Sequence, residues 1–407
     1  MVRNRNERQF DEYRDWQWIK HLILRKYAFL WSEILGKSYG EIVVVDTCAG
    51  AGSYTDPDTG SVISEGSPVI FARRAKEYTE RRGPGKSMRV ICCEKNRNNY
   101  TSLVETLRPF EPHVKTLPGG FEQHVPAIAQ ELGNAPALIL LDPIGVGTIP
   151  ADTWRPLLER KGKTDIFVVL HFAGLHRVGG WLLTDGSPNP AISGAKSGAA
   201  THDRVFNGPG WRAIALDPAL MGEEHREERE RRYVKLFFEQ VIGARHRWKC
   251  YCEVKAQYTS PVKYWLVHAS DDRKPYELMN DEIVAVNETL FAREHGGDGQ
   301  LENFLEAELA AHHAYIERKI AHAALEYVAA APGSVLPYGA LDDLLLRRFV
   351  GRARSNVPWR VVKRLCKEGR LTREKKLGAA ADPHEKITLP GSGARDAAKV
   401  VPIRSAA

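Results

Sequence analysis

Residues 41–52 read EIVVVDTCAGAG: an apolar run, an acid, and then a turn that holds two glycines. A short continuous apolar run bounded by a turn is the pattern of a strand buried on both faces of a parallel sheet. Glycine at a strand-to-helix turn permits positive φ and lets backbone N–H groups approach a ligand with no Cβ in the way. The spacing is that of D-x-G-x-G-x-G with Cys48 in the first glycine position, which makes Asp46, Cys48, Ala49, Gly50 and Gly52 candidate ligand-binding residues.

On either side of this turn the period changes regularly. Residues 15–35 place Trp16, Ile19, Leu22, Ile23, Lys26, Tyr27, Leu30 and Ile34 at three-to-four spacing, which predicts an amphipathic helix. Strand-like runs come at 88–94, 113–119, 137–142 and 165–172, each preceded by a polar or helical segment. Strands that alternate with helices predict an α/β fold with a mostly parallel sheet of Rossmann type. The runs 249–256 and 262–270, separated by QYTSP, predict an antiparallel strand closing that sheet. Residues 173–232 break the alternation and end in the charged run EEHREERERR, which predicts an insertion with a solvated helix.

After HGGDGQ (295–300) come helical segments at 302–331 and 337–349, the Pro-started NVPWRVVKRLCKEGRL (356–371), and two short strands around a loop. Helix, helix, helix and β-ribbon in that order predict a winged-helix domain. The expected organisation is a helical segment over 1–40, a Rossmann domain over 41–300, a winged helix over 301–390 and a disordered tail over 391–407.

The 407 residues are 43% hydrophobic and 27% charged, the balance of an ordinary globular protein. No stretch has the roughly 20 apolar residues a membrane helix needs, and the N-terminus has no signal-peptide core, so a cytoplasmic location is expected. The six cysteines form no CxxC pair and lie near no His at zinc spacing, so neither a disulfide framework nor a metal site is expected. The net charge of +7 is local: residues 347–376 carry twelve Arg and Lys against two Glu. A basic segment of that kind favours a polyanion-binding face. Val357, Val361, Val362 and Leu365 are expected inward, with Arg360, Lys363, Arg364 and Lys367 outward and Arg373, Lys375 and Lys376 on the wing. That is the charge layout of a helix against a phosphate backbone, DNA or RNA, although a winged helix can also dock protein.

Glu94 ends the strand after the glycine turn, where a carboxylate can accept both ribose hydroxyls of a nucleoside. The dinucleotide fingerprint, with its acid about twenty residues on, is absent, and no GK[ST] follows the turn. S-adenosylmethionine, an adenosine without phosphates, is therefore the expected cofactor. In ALILLDPIG (137–145) Asp142 and Pro143 stand at the carboxyl end of the fourth strand. Nucleic-acid amino-methyltransferases carry [DNS]-P-P-[YFW] there: the polar side chain orients the target amine, and an aromatic stacks on the base. Ile144 and Gly145 supply no aromatic, so a base needs another platform; DPIG is closer to the DPFG of tRNA guanine-N2 methyltransferases. No Pro-Cys dipeptide exists for cytosine-C5 chemistry. His171 ends the fifth strand near the same crevice and suits either a proton acceptor or a simple strand-end cap.

Taken together these residues resemble the bacterial three-Cys-motif partner family, TcmP. The resemblance runs through the Lys20/Leu24/Tyr27 helix, the Asp46–Gly52 turn, Gly66-Ser67-Pro68, Glu94, Gly120-Phe121, Asp142-Pro143-x-Gly145 and Phe206-x-Gly208 before Trp211. Cys48 stands where an aromatic is commoner, and His171-Phe172 where Asn-Phe is usual. The resemblance implies a methyltransferase-like Rossmann fold, adds Gly120 and Phe121 to the cofactor residues, and implies a partner with three cysteines that looks like a radical-SAM-type protein. Two functions are then open: a methyltransferase acting on a nucleic-acid amine, or a catalytically silent nucleic-acid-binding partner of the three-Cys protein.

Overall fold

The computed structural model describes residues 17–55, 59, 61–143, 145, 147, 149–257, 259–295, 302–374 and 382–390. Trp16, Ile144, Lys375, Lys376 and the expected tail lie outside the described residues. The chain divides into two units, Met1–Glu282 and Ile283–Ala407.

In the first unit α1 (Gln17–Leu35) leads into β1 (Glu41–Asp46). The glycine turn opens into a small hairpin, β2 (Ser53–Thr55) with β3 (Val62–Glu65), before α2 (Ser67–Arg82) begins. Sequence reading missed this hairpin because its strands have three and four residues. The elements β4 (Ser87–Glu94), α3 (Arg97–Leu107), β5 (Val114–Pro118), α4 (Phe121–Leu132), β6 (Ala137–Leu141), α5 (Ala151–Leu158) and β7 (Thr164–Leu170) then alternate as expected. Four helices come after them: α6 (Ala173–Gly179), α7 (Ala195–Val205), α8 (Trp211–Ala215) and α9 (Arg226–Phe237). The strands β8 (Trp248–Lys255) and β9 (Val262–Ser270) and the helix α10 (Arg273–His295) are next.

The seven-stranded sheet has the order β5-β4-β1-β6-β7-β9-β8. With the hairpin set aside, its first five strands stand in the order 3-2-1-4-5 of a Rossmann-type sheet, and the chain reverses direction across the sheet between β1 and β6. β9 runs antiparallel to both β7 and β8, so it alone opposes the rest. The central strands β6 and β7 are buried throughout, whereas the edge strand β8 alternates buried and half-buried residues. That difference arises because helices cover both faces at the centre of a parallel sheet.

Helix α1 is rotated from the expected face. Lys26 and Ile34 are exposed, while Lys20, Tyr27, Ala28 and Trp31 are buried. Polar partners in the sheet account for the shift: Lys20 pairs with Asp142, and Tyr27 donates to Asp165 at 2.9 Å. The charged run before β8 is also more than a solvated helix. Glu230 is 3% exposed and accepts from Trp265 Nε1 at 2.6 Å and from His176 Nε2 at 2.8 Å, which ties α9 to β9 and α6.

The second unit begins inside α10 rather than at 300. Within it Asn287 donates to the Gly351 carbonyl and Glu288 pairs with Arg354, so the end of this helix belongs to the C-terminal unit. The order continues with α11 (Glu302–Ala330), β10 (Val335–Pro337), α12 (Tyr338–Arg348), α13 (Val357–Lys367), β11 (Thr372–Arg373) and β12 (Lys386–Thr388). The strands form a small antiparallel sheet in the order β10-β12-β11. Val361, Val362 and Leu365 enter a core with Ile320, Leu341 and Ile387, and Val357 packs at its margin. Among the described residues no helix is long and apolar enough to cross a membrane.

Candidate functional site

The glycine turn is held by its neighbours. Gly50 and Gly52 have φ of 64° and 90°, in the region that strains other residues. A Cβ on Gly52 would meet Thr106 Cγ2 at 2.9 Å, and one on Gly66 would meet the Gly52 carbonyl at 2.7 Å. Glu94, 8% exposed, accepts from Gly50 N at 2.8 Å with one oxygen and from Asn96 N at 2.7 Å with the other. It thus clamps the turn to the end of β4, and each oxygen keeps a second lone pair for a ligand.

Asp46 is fully buried behind the turn. Its Oδ1 accepts weakly from Cys48 N at 3.4 Å. Burial pushes its carboxyl up to about 7, against a hydrogen bond from Ser67 that acts the other way. A carboxyl raised in the folded state stabilises the fold below its ordinary value of 3.8 and loses that contribution as pH rises towards about 7. Asp46→Asn should therefore be least different from wild type at about pH 4 and relatively more stable at about pH 7, as read by urea unfolding.

A cleft of about 310 Å³ opens at the carboxyl edge of the sheet, between the turn on one side and Asp142, Pro143 and His171 on the other. This is the crevice where strand order reverses, the usual ligand site of open α/β sheets. Cys48, Ala49, Gly50 and Gly52 line it; Asp46, Glu94, Gly120 and Phe121 do not. Phe121 is 8% exposed and packs in the core at the start of α4.

Three groups in the cleft escaped sequence reading as site residues. Lys20, from α1, forms an ion pair with Asp142 in which the two side chains are 8% and 17% exposed. Burial alone would push the ammonium down, but the Asp142 carboxylate outweighs it and holds Lys20 above the ordinary lysine range. Tyr54 comes from the hairpin, and Tyr264 from the start of β9. Because β9 is antiparallel, with Leu170 opposite Trp265, its first residues reach the same edge as the ends of the parallel strands. The His171 and Tyr264 rings lie 5.1 Å apart, and burial lowers the His171 pKa, which keeps the imidazole neutral at neutral pH. No tyrosine in a strand signals such a place by its spacing, since it reads as core.

In the second unit Arg360, Lys363, Arg364 and Lys367 are exposed on α13, as expected. Arg360 and Arg364 both bond to Glu317, at 2.5 and 2.6 Å, and Lys363 lies over the Trp359 ring. Arg373 is a correction. Its side chain is 3% exposed and grips Glu385 through Nε at 2.6 Å and Nη2 at 2.8 Å, so it staples the small sheet and is closed to a phosphate. Bidentate pairing of this kind gives a buried charge its hydrogen bonds. Lys375 and Lys376 lie outside the described residues. Among those residues no cluster of three His, Cys, Asp or Glu could hold a metal ion.

Fold and cleft together define an open, Rossmann-type α/β protein with a crevice at the point of strand reversal. No family model and no curated protein matches the chain. Among solved structures it is similar to one described as geranyl diphosphate methyltransferase in complex with GPP and sinefungin. The identity is 11%, covering 60% of this chain and 77% of that chain, with a TM-score of 0.23. The strand order, and not this similarity, defines the fold class.

Proposed function

We propose that the first unit is an S-adenosylmethionine-dependent methyltransferase acting on an amine of a nucleic-acid base. The observation that carries this reading is the cleft itself, with the glycine-containing turn on one wall and Asp142 on the other at the strand reversal. The residues suit the cofactor: the turn admits backbone approach, and Glu94 keeps acceptor capacity beside it.

S-adenosylmethionine, held beside the turn of Cys48, Ala49, Gly50 and Gly52, would supply an electrophilic methyl group and would keep the electron pair of the broken carbon–sulfur bond. The chain has to align the amine and exclude water, which is where most of the acceleration of such a displacement arises. Asp142 accepts from the amine and directs its lone pair. The nitrogen, positively charged after transfer, gives its proton to His171, which lines the same cleft and is neutral at neutral pH. A weak base suffices, because a methylated ring amine is itself strongly acidic.

The second unit serves in this reading as a winged helix that holds the nucleic acid through α13, DNA or RNA. The resemblance to the three-Cys-motif partner family adds a radical-SAM-type partner to the proposal. A second reading, a catalytically silent scaffold for that partner, is favoured by the Lys20–Asp142 pair, which occupies one oxygen of the acceptor-facing carboxylate.

Calorimetry and nucleoside mass spectrometry separate the two. The methyltransferase reading expects saturable binding of S-adenosylmethionine and labelled methyl on a base, with Asp142→Ala, which removes the acceptor altogether, keeping the binding and losing the transfer. Absence of binding at millimolar cofactor, which places any affinity weaker than about −4 kcal/mol, defeats it.

A further inference from the structure

The cleft contains polar groups that the fold itself leaves unused. Lys20 has three N–H donors, and among the described residues its one hydrogen bond goes to Asp142 Oδ2. Asp142 Oδ1 accepts from no described residue. Tyr264 is 4% exposed, lines the cleft, and its hydroxyl has no hydrogen-bond partner among the described residues. Lys20, Asp142, Tyr54 and Tyr264 act on one another electrostatically, so they form one cluster. A buried polar group without a partner costs about 1–3 kcal/mol, and a cleft wall that sets one such hydroxyl beside an unused carboxylate oxygen and spare ammonium N–H groups has the composition of a ligand-reading edge.

We propose that Asp142, Lys20 and Tyr264 read the hydrogen-bonding edge of the acceptor base, and that the base is cytosine. This assignment rests on the methyltransferase reading. One free carboxylate oxygen can accept from an exocyclic amine, and an ammonium and a phenol can donate to two acceptors beside it. Cytosine presents that complement on its pairing edge, with its N4 amine, N3 and O2. Adenine offers the amine and one ring acceptor and leaves one donor of the cluster unused. Guanine places its N1–H next to the amine, where it would face an ammonium that can only donate. A flipped or single-stranded base is read in this manner, through its pairing edge and by stacking on aromatic side chains. The aromatic that Ile144 and Gly145 do not supply is provided in space by Tyr54, which lines the same cleft.

Tyr264→Phe is the test, because it deletes only the hydroxyl. With single-stranded oligonucleotides and labelled cofactor, the wild type should label cytosine N4 ahead of adenine N6 and leave guanine N2 unlabelled. The variant should lose about 10-fold in transfer to cytosine, the equivalent of one hydrogen bond of about 1.4 kcal/mol, and clearly less in transfer to adenine, so that the ratio of the two falls. Its Tm should equal or exceed that of wild type, since an unpartnered buried hydroxyl has been removed. Preferred transfer to guanine, an equal loss for cytosine and adenine, or a Tm several degrees lower would overturn the assignment while leaving the methyltransferase intact. Cofactor-bound protein that labels no base at all overturns the function and the assignment together.

Discussion

Replacing Lys20 with Met should destabilise the first unit by about 3 kcal/mol or more, the cost of stranding a buried charge whose partner has been removed. The pair is shielded, at 8% and 17% side-chain exposure, so water replaces the lost ammonium poorly. A surface pair of the same residues would be worth less than about 1 kcal/mol. The double substitution Lys20→Met with Asp142→Asn should recover most of the loss, because the uncompensated carboxylate is gone. Both effects are read from urea midpoints at constant m-value. A Lys20→Met protein as stable as wild type would mean that water screens the pair, and the site would lose its fixed acceptor. Transfer activity should fall in both variants, since in each Asp142 is no longer an ionised carboxylate held by Lys20.

If α13 holds nucleic acid as proposed, changing Lys363 and Lys367 to Glu should lower affinity for duplex nucleic acid by about 100-fold near 0.1 M salt and reduce the salt slope by about two. These two lysines are exposed on α13, and neither forms an ion pair among the described residues. Arg360 and Arg364 share Glu317, so part of their charge is already compensated and their removal should matter less. Arg373→Ala should behave differently, lowering the stability of the second unit through loss of the buried bidentate pair with Glu385, with binding lost only as far as folding is lost. Binding by the double lysine variant that keeps the wild-type salt slope would rule out α13 as the phosphate-facing helix.

Much of the fold was legible in one dimension, for a physical reason. The runs IVVV, VICC, LILL and FVVL are apolar on consecutive residues, and only a strand covered on both faces needs that pattern. Glycines at 50 and 52 marked a turn whose positive φ the structure contains. The boundaries that failed are those where partners far along the chain intervene. The domain division moved into α10 because Asn287 and Glu288 bond to residues more than sixty positions on. The charged run at 223–232 became partly buried because Trp265 and His176 meet Glu230.

The sequence by itself determined the class of fold, the glycine turn, Asp142 at a strand end and the basic face of the last helix, because each depends on local periodicity or on residues adjacent in the chain. The tertiary structure alone decided the inner wall of the cleft. Lys20 reaches Asp142 across 122 positions, Tyr264 arrives on the one strand that runs backwards, and Arg373 turns from a phosphate contact into a buried clamp on Glu385. Burial gives these charges and hydroxyls their strength, and burial depends on the whole chain.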